Sequence, residues 1–342
     1  MKAAILEKRG REGLMVRDIA IPTRRPGEVL LRVHAAGLNR VDLYMRDNGS
    51  GITHSLPQTM GVEAAGVVVE ADADSRLTPG QKAVVFSNAF CGACRYCLAG
   101  DQPLCRRAHI MGEHRDGGFA EYVAMPTRCI LPLPDHADLV EAGAFLAAYS
   151  TAWRMLFGKR ALRPGETVLV VGIGGGVAVA CLQLARHAGA RVLVTSSSDA
   201  KIERALALGA SGGVNYRREK VARRVLEMTG GEGVDMVIDS VGEASWDDSL
   251  RSLRRGARLV TCGATTGSNP SADLQRLFIR QLEVYGSTGA SIEECRQLIA
   301  LFAAGGIKPV IDQRFALDDV RAAFDRLERG EQFGKVVITM NP

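Results

Sequence analysis

Four cysteines stand close together in the sequence at a spacing typical of a metal site. Two residues separate the first from the second, two separate the second from the third, and seven separate the third from the fourth. Four thiolates form a closed tetrahedral shell around zinc, which leaves no position for water or a substrate. The spacing therefore predicts one structural zinc ion that holds a loop over about 88–108 in shape and takes no part in chemistry. Its ligands are Cys91, Cys94, Cys97 and Cys105.

A glycine-rich turn is the second pattern with chemical meaning. A predicted strand at 167–171 leads directly into it, and an amphipathic segment at 178–188 follows. Glycines let the backbone approach a pyrophosphate, and the N-terminus of the following helix offers unpaired N–H groups. The turn therefore predicts a dinucleotide site, with a flexible turn without a ligand as the alternative. Its residues are Gly172, Gly174, Gly175, Gly176 and Val177.

The residues after the next predicted strand favour NADPH over NADH. Where an NAD-preferring site places an acidic residue, the sequence has Ser196 and Ser197. Cations and hydroxyl groups nearby suit a 2′-phosphate, with ordinary surface charge as the alternative for the cations. These donors are Lys201, Arg204, Tyr216, Arg217 and Arg218. We interpret Asp199 as the cap of a helix at 200–208.

The alternation of apolar residues predicts an α/β chain of two domains. Residues 1–126 form short β-rich runs broken by turns, which indicates a compact β domain. Beyond about residue 161, strands alternate with helices, which predicts a doubly wound parallel sheet of six strands. The six strands are 167–171, 191–195, 213–215, 235–239, 258–262 and 282–286. Two helices at 292–303 and 317–327 and a strand at 334–338 complete the prediction.

The composition excludes several classes of protein. The chain has 342 residues, of which 46% are hydrophobic and 24% charged, and a net charge of +5. The basic residues are scattered, so we expect no nucleic-acid partner, because such binding needs many phosphate contacts together. No stretch resembles a signal peptide or a membrane span. Since the cysteines fit a reducing compartment, we expect a cytoplasmic protein without a membrane partner.

A β domain with a four-cysteine lobe, followed by a Rossmann domain with a glycine turn, resembles the medium-chain dehydrogenase/reductase superfamily over the whole chain. The resemblance implies a GroES-like catalytic domain made of residues 1–126 and 288–342. It implies a Rossmann domain that binds NADP in residues 127–287. A homodimer or homotetramer is also expected, joined through the edge strand at 282–286.

The zinc alcohol dehydrogenases of this superfamily hold a catalytic zinc through a Gly-x-Cys motif, a Gly-His-Glu motif and a third cysteine before a Ser-Thr pair. The matching residues here are Asn39, Val62 and Ala147. Side chains of these three types cannot together bind zinc. Because alcohol oxidation of this kind depends on its metal, the resemblance implies hydride transfer without a catalytic metal.

The stretch at 37–44 is similar to the Gly-Val-Asn-Pro-x-Asp stretch of the quinone oxidoreductase and enoyl reductase branch. Enzymes of that branch pass hydride from NADPH to a quinone or an α,β-unsaturated carbonyl, and some mixed members of the superfamily reduce enoyl-CoA thioesters. By this resemblance Asn39 donates its amide to the developing oxyanion, Tyr44 binds that oxyanion or delivers a proton, and Asp42 orients both. A turn contact for Asn39 and a packing role for Tyr44 are the alternatives.

Other residues follow from the resemblance by position. The cofactor residues are Thr151, Ser240, Val241, Gly263, Ala264, Thr265, Ser287 and Lys335. We expect Lys335 to reach a phosphate, with an ordinary surface lysine as the alternative. Glu63 is expected in a structural ion pair, and His54 and His114 are further candidates for acid catalysis.

Three functions remain open from the sequence. The first is an NADPH-dependent reductase of quinones or activated alkenes that carries one structural zinc. The second is a zinc-type alcohol dehydrogenase with atypical ligands. The third is a module that binds NADPH without turning it over.

Overall fold

A computed structural model of the chain describes residues 1–47, 53 and 55–340, which divide into two compact units. The first unit comprises Met1–Ser150 and Gly289–Pro342, and the second comprises Thr151–Thr288. The prediction assigned residues 127–150 to the nucleotide-binding domain, whereas these residues belong to the first unit. The reason is local pairing, because residues 130–132 form a strand of the first unit's main sheet and the helix that begins at residue 139 packs on that sheet.

The elements of the first unit up to its boundary are β1 Lys2–Leu6, β2 Leu14–Asp18, β3 Glu28–Leu38, α1 Arg40–Asp47, β4 Gln58–Thr59, β5 Ala65–Glu70, β6 Lys82–Val85, β7 Asn88–Ala89, α2 Arg95–Leu98, β8 His109–Ile110, β9 Tyr122–Pro126, β10 Ile130–Pro132, α3 Leu139–Gly143 and α4 Leu146–Phe157. The next elements are β11 Thr167–Val170, α5 Gly176–His187, β12 Arg191–Ser196, α6 Asp199–Ala207, β13 Gly212–Asn215, α7 Val221–Met228, β14 Val234–Asp239, α8 Trp246–Ser252, β15 Leu253–Thr261, α9 Leu274–Arg280 and β16 Glu283–Gly286. The chain then adds α10 Ile292–Ala303, β17 Ile311–Ala316, α11 Val320–Glu328 and β18 Lys335–Thr339.

Strand β3 organises the first unit. It is eleven residues long and almost wholly buried, and it pairs with β5, β9 and β18 in a seven-stranded sheet. The order of that sheet is β10-β6-β5-β3-β18-β17, with β9 on β3, and only the β17–β18 pair is parallel. A small sheet of order β2-β1-β4 and a two-stranded sheet of β7 and β8 also belong to the unit. The register of β18 against β3 sets Val336 opposite Leu38, which brings Lys335, the first residue of β18, together with Asn39, the residue after β3.

The second unit is a parallel sheet of six strands in the order β13-β12-β11-β14-β15-β16. The predicted fold class is therefore confirmed. Its central strands are continuous runs of buried aliphatic residues, as expected for strands covered on both faces. The chain reverses its direction of winding between β11 and β14, which is the point where open sheets of this kind bind ligands.

Two local predictions need correction. Helix α6 begins at Asp199, and its N-cap is Ser198, whose hydroxyl accepts the backbone N–H of Lys201. The predicted helix at 317–327 divides into a 3₁₀ turn at Leu317–Asp319 and α11.

Strand β16 lies at the edge of the six-stranded sheet, and Val284 on it is 42% exposed. The expected dimer through this strand stays a prediction. In the described part of the chain, no helix is long and apolar enough to cross a membrane.

Candidate active site and cofactor turn

The first unit contains a buried ion pair between Lys335 and Glu63. The ammonium of Lys335 is 2.9 Å from Glu63 Oε2, and the two side chains are 3% and 1% exposed. The same ammonium donates to Asn39 Oδ1 at 2.6 Å. The register of β3 with β18 explains this meeting, because it sets Asn39 and Lys335 side by side at the ends of two paired strands. The ion pair expected for Glu63 is therefore present, and Lys335 is its partner.

Glu63 holds a second element through its other oxygen. Oε1 accepts the backbone N–H of Ala147 at 2.8 Å. Ala147 stands in the first turn of α4, where backbone N–H groups lack partners within the helix and a negative charge is favourable. The carboxylate therefore neutralises an ammonium and caps a helix at the same time.

Asn39 uses its whole side-chain amide within this network. Nδ2 donates to the carbonyl oxygen of Gly37 at 3.0 Å and to Glu63 Oε2 at 3.2 Å, and Oδ1 accepts from Lys335. The reverse amide orientation would turn the NH₂ group toward an ammonium, so the contacts decide the orientation. Both amide hydrogens are engaged, which leaves none for a substrate oxyanion. The expected donor role of Asn39 does not agree with this geometry.

Asp42 is fully buried beside this network. Its Oδ2 accepts the backbone N–H of Asn39 at 2.8 Å, so a carboxylate in the first turn of α1 reaches back to the residue before the helix. Its other oxygen has no hydrogen-bond partner among the described residues. Burial is the main cause that raises the pKa of Asp42 to about 7, and the nearby Lys335 charge opposes this shift. Asp42 thus fixes the start of α1, and its expected role in orienting Asn39 and Tyr44 for catalysis stays a prediction.

The backbone near this network leaves no room for larger residues. A Cβ at Gly37 would overlap the Glu63 carboxylate and the Gly143 carbonyl oxygen, and it would lie 2.8 Å from Lys335 Cε. Glycine at position 37 is therefore required for the network to close. Tyr44, the expected proton donor, is half-buried on α1.

The glycine turn of the second unit fits a dinucleotide. Gly172 and Gly174 have φ angles of 73° and 123°, which favour glycine. Gly175 is the N-cap of α5 without a side-chain cap, and a Cβ built there would meet nothing within 4 Å. The first N–H groups of α5 are thus open to a phosphate. The geometry supports the site expected at Gly172, Gly174, Gly175, Gly176 and Val177.

The side chain of Lys201 lies over this turn. Its Nζ is 3.1 Å from the position that a Cβ on Gly174 would occupy. Ser196 is buried at the end of β12, and its hydroxyl accepts the Ser198 N–H at 3.2 Å. Tyr216 and Arg217 are exposed on the next turn. Of the expected NADPH donors, Lys201 is therefore placed at the glycine turn itself.

Asp199 has a role other than the predicted cap. Its carboxylate accepts from Asn215 Nδ2 at 2.6 Å and pairs with Arg218 at 2.6 Å. The two contacts tie α6 to the turn after β13. The carboxylate of Asp199, although near the cofactor turn, thus already binds two side chains of the protein.

Asp239 shapes the loop after β14. Its Oδ1 accepts the backbone N–H groups of Val241 and Gly242 at 2.8 and 3.0 Å. Its Oδ2 accepts the hydroxyls of Ser245 and Ser249, both at 2.7 Å. Four donors on one buried carboxylate fix the backbone of the expected cofactor residues Ser240 and Val241. The sequence marked this loop by position, with Asp239 as its first residue, but not the hydrogen bonds through which Asp239 holds it.

The remaining expected cofactor residues lie at the carboxyl ends of strands, apart from Thr151 on α4. The Ser287 hydroxyl follows β16, is buried and has no partner in the described structure. Residues Gly263, Ala264 and Thr265 follow β15, and Ala264 and Thr265 are exposed. Lys335 is a further exception, because it is the first residue of β18. Its ammonium has the partners Asn39 and Glu63, and the residue is 2% exposed.

The four clustered cysteines converge as predicted. Their Sγ atoms all lie within 4.8 Å of one another, and those of Cys94 and Cys97 are 3.5 Å apart. A tetrahedral zinc with Zn–S bonds of about 2.3 Å needs sulfur atoms about 3.8 Å apart, so the thiols fit this ion. The backbone N–H of Ala93 is the main cause that lowers the pKa of Cys91 to about 5, which favours the thiolate. Within the described residues, no other group of three or more His, Cys, Asp or Glu side chains is placed to hold a metal.

The expected acid catalyst His114 has structural partners. Its Nδ1 accepts the Ile110 N–H at 3.1 Å, and its Nε2 lies 2.9 Å from the Thr53 hydroxyl. An accepting Nδ1 means that the neutral ring carries its hydrogen on Nε2. His54, the other candidate, lies outside the described residues.

Two family models match the chain. An alcohol dehydrogenase GroES-like domain matches residues 25–135, and a zinc-binding dehydrogenase domain matches residues 176–304. The chain belongs to the medium-chain dehydrogenase/reductase superfamily. It is therefore an oxidoreductase, and the predicted resemblance and GroES-like fold are confirmed.

Relatives within this superfamily match over nearly full length. An alcohol dehydrogenase of Geobacillus stearothermophilus is 30% identical to this chain, and the match spans 99% of each of the two chains. An acryloyl-coenzyme A reductase of Metallosphaera sedula is 30% identical over 99% of this chain and 100% of its own. The crystal structure of an NAD-dependent alcohol dehydrogenase superposes with a TM-score of 0.95 at 36% identity, with both chains covered to 100%. The fold is thus shared with proteins of more than one activity.

The Cys94→Ser variant tests the zinc cluster. We expect about one zinc per chain in the wild type and a loss of that zinc in the variant, since three thiolates leave the shell open. The apparent Tm should fall by roughly 5 °C or more, because metal binding contributes to folding. Zinc content by mass spectrometry and thermal unfolding measure both effects, with Cys262→Ser as the control. A variant that keeps its zinc would contradict the ligand assignment.

The Asp42→Asn variant tests the buried carboxyl group. An unfolded aspartate has a pKa of about 3.9, whereas the folded group has about 7, so the native state holds a proton that the unfolded state has released. The wild type therefore loses stability as the pH rises through this range. The free energy of unfolding of Asp42→Asn minus that of the wild type should therefore become more positive by roughly 2–3 kcal/mol between about pH 5 and about pH 8.

Urea denaturation of both proteins at each pH measures this difference. Asp18→Asn, which removes an exposed carboxylate at the end of β2, is the control and should show no such trend. A difference between Asp42→Asn and wild type that stays constant over this pH range would contradict the raised pKa.

Proposed function

We propose that this oxidoreductase transfers hydride from NADPH to a quinone or an α,β-unsaturated carbonyl compound without a catalytic metal. One observation carries the proposal. Of the three positions that match the catalytic zinc motifs, Asn39 and Ala147 donate hydrogen bonds to Glu63 and Val62 precedes it in the chain, and the positive charge that pairs with the same carboxylate is the ammonium of Lys335.

The donor set supports chemistry without a metal at this place. Positions 39, 62 and 147 offer an amide, an isopropyl group and a methyl group, none of which is a usual zinc ligand. Both oxygens of Glu63 already accept hydrogen bonds, and one of them faces a buried cation. A divalent ion at this place would have to displace the Lys335 ammonium, and of these side chains only the Glu63 carboxylate is a usual ligand for it.

The second unit supports the cofactor part of the proposal. The glycine turn and the open N-terminus of α5 suit a pyrophosphate, and the loop held by Asp239 lies at the end of the neighbouring strand β14. The unpartnered Ser287 hydroxyl at the end of β16 is a buried donor that a ligand would satisfy. When bound, the cofactor supplies the hydride, and the protein contributes position and electrostatics.

Two observations support NADPH over NADH. Ser196 and Ser197 stand where an acidic residue would bind the ribose of NADH, and Lys201 extends over the glycine turn. The nearby carboxylate of Asp199 is engaged with Asn215 and Arg218. The similar solved structure with a TM-score of 0.95 is of an NAD-dependent alcohol dehydrogenase, and the Michaelis constants for NADPH and NADH distinguish the two cofactors.

The named relatives support two different substrate classes. The relative named acryloyl-coenzyme A reductase supports an activated alkene, including an enoyl-CoA thioester. The relatives named alcohol dehydrogenase and threonine dehydrogenase support the alternative, which is oxidation of an alcohol at an atypical zinc site. Tyr44, half-buried on α1, is proposed as the proton donor in the reductive reaction.

A substrate panel decides between these activities. We expect NADPH oxidation with quinones, enals or enoyl-CoA thioesters, and no reduction of NADP⁺ or NAD⁺ with alcohols or threonine. The measurement is the absorbance of the reduced nicotinamide, combined with zinc analysis of the same sample. Alcohol-dependent reduction of NADP⁺ by a protein with two zinc ions per chain would establish the alternative. Binding of NADPH without turnover on the whole panel would establish a non-catalytic module.

The Lys201→Ala variant tests the cofactor preference. A charged hydrogen bond to the 2′-phosphate contributes about 1.5–3 kcal/mol, so we expect the KM for NADPH to rise by about tenfold or more while the KM for NADH stays nearly constant. Lys220→Ala, an exposed lysine before α7, is the matched control. Equal changes in the two KM values would show that Lys201 does not contact the 2′-phosphate.

A further inference from the structure

The first acidic residue after β12 stands close to the place that decides between the two nicotinamide cofactors. In sheets of this kind the cofactor ribose binds at the carboxyl end of the second strand, where this chain has Ser196 and Ser197. Asp199 follows two residues later as the first residue of α6. A carboxylate at a helix N-terminus stabilises the helix, but it repels a 2′-phosphate. An NADPH site at this strand end therefore requires that the charge of Asp199 be compensated.

Strand pairing places Asn215 beside this position. The register of β12 with β13 pairs Ser196 with Asn215, and the N–H of Tyr216 donates to the Ser196 carbonyl oxygen at 3.1 Å. Asn215 is 6% exposed, and its Oδ1 accepts the backbone N–H of Arg217 at 3.1 Å. Its carbonyl oxygen accepts the N–H of Arg218 at 3.0 Å. Asn215 thus fixes the turn after β13 next to the end of β12.

Two partners take the two oxygens of the Asp199 carboxylate. Oδ1 accepts from Asn215 Nδ2 at 2.6 Å, and Oδ2 pairs with Nη1 of Arg218 at 2.6 Å. The buried amide fixes the direction of the carboxylate, whereas the guanidinium supplies the opposite charge. The side chains of Arg218 and Asp199 are 72% and 45% exposed, so their pairing contributes little to folding. Its main consequence is that the charge of Asp199 is compensated before any cofactor binds.

We propose that Arg218 is a positioning residue that favours NADPH over NADH by pairing with Asp199, and that it does not itself contact the 2′-phosphate. The inference rests on the proposed function and concerns its choice of cofactor. With the pair formed, Asp199 presents no uncompensated charge to the phosphate, and Oδ2 is not available to the ribose hydroxyls. Without Arg218, the freed oxygen would repel a 2′-phosphate and would accept a hydrogen bond from a 2′-hydroxyl, which favours NADH.

Three variants of the purified full chain test this role. Arg218→Gln removes the guanidinium charge and frees Oδ2 of Asp199. Asp199→Asn removes the carboxylate charge but keeps an oxygen for the Asn215 amide. The double variant lacks both charges and so has the same local net charge as the wild type. The matched control is Arg223→Gln, on an arginine that is 82% exposed and pairs with Glu227 on α7.

The measurement is the Kd of each protein for NADPH and for NADH, from the fluorescence of the bound reduced nicotinamide. We expect Arg218→Gln to raise the Kd for NADPH about fivefold or more, because a free carboxylate near the phosphate repels it even in water, and to change the Kd for NADH less than about twofold. The double variant should return the Kd for NADPH to within about twofold of the wild type, because the two residues act as one coupled pair. Arg223→Gln should match the wild type with both cofactors.

The double variant separates the two ways in which Arg218 can act. If Arg218 contacted the phosphate, its loss would weaken NADPH binding equally with and without the Asp199 charge, and this result would overturn the proposal. An unchanged Kd for NADPH in Arg218→Gln would overturn it as well. Thermal unfolding checks that each variant is folded, and we expect every Tm within about 2 °C of the wild type, since an exposed pair stabilises little.

The proposed function fails by a different result. A wild type that binds NADH as tightly as NADPH would contradict the cofactor part of the proposed function. The role of Arg218 is decided by how the ratio of the two Kd values changes from the wild type to Arg218→Gln and back in the double variant. That change is measured whatever the ratio is in the wild type.

Discussion

The buried pair of Lys335 and Glu63 is the interaction on which the first unit's site depends. Taking two charges out of water costs several kcal/mol per ion, and the attraction between them offsets this cost only when other hydrogen bonds satisfy both groups. Here the N–H of Ala147 and the amide of Asn39 supply those bonds. A strand end, a loop and a helix start are thereby held in one arrangement. Loss of either charge would leave the other buried and unpaired.

In the second unit a buried carboxylate also fixes a loop, and hydrogen-bond donors take the place of a cation. Asp239 accepts four hydrogen bonds from backbone N–H groups and hydroxyls. Such donors stabilise the charge and also dictate the path of the loop after β14. The four clustered thiols bring a third loop together, and a zinc ion bound there would compensate the charge of the thiolates. Each of the three sites is thus a loop fixed by groups that compensate a charge.

The sequence predicted much of this arrangement, and the reasons for its failures are physical. The strands around 167–171 and 235–239, the glycine turn and the cysteine cluster were predictable because periodicity and spacing are local signals. The contact of Lys335 with Asn39 was not, since it depends on the register between β3 and β18, which are some 300 residues apart in the chain. The same holds for residues 127–150, whose place in the first unit follows from strand pairing. At Asp199, Ser198 supplies the cap and the carboxylate binds Asn215 instead.

The proposed exchange of a metal for an ammonium would change the chemistry that such a site favours. A zinc ion lowers the pKa of a bound hydroxyl and so helps to remove a proton from an alcohol. An ammonium held by a carboxylate only donates hydrogen bonds, and it stabilises an oxygen that gains negative charge. Alcohol oxidation moves charge off the oxygen as the carbonyl forms, whereas enone reduction moves charge onto it. Under the proposed function, a centre with the pair of Lys335 and Glu63 would favour reduction of a conjugated carbonyl over oxidation of an alcohol.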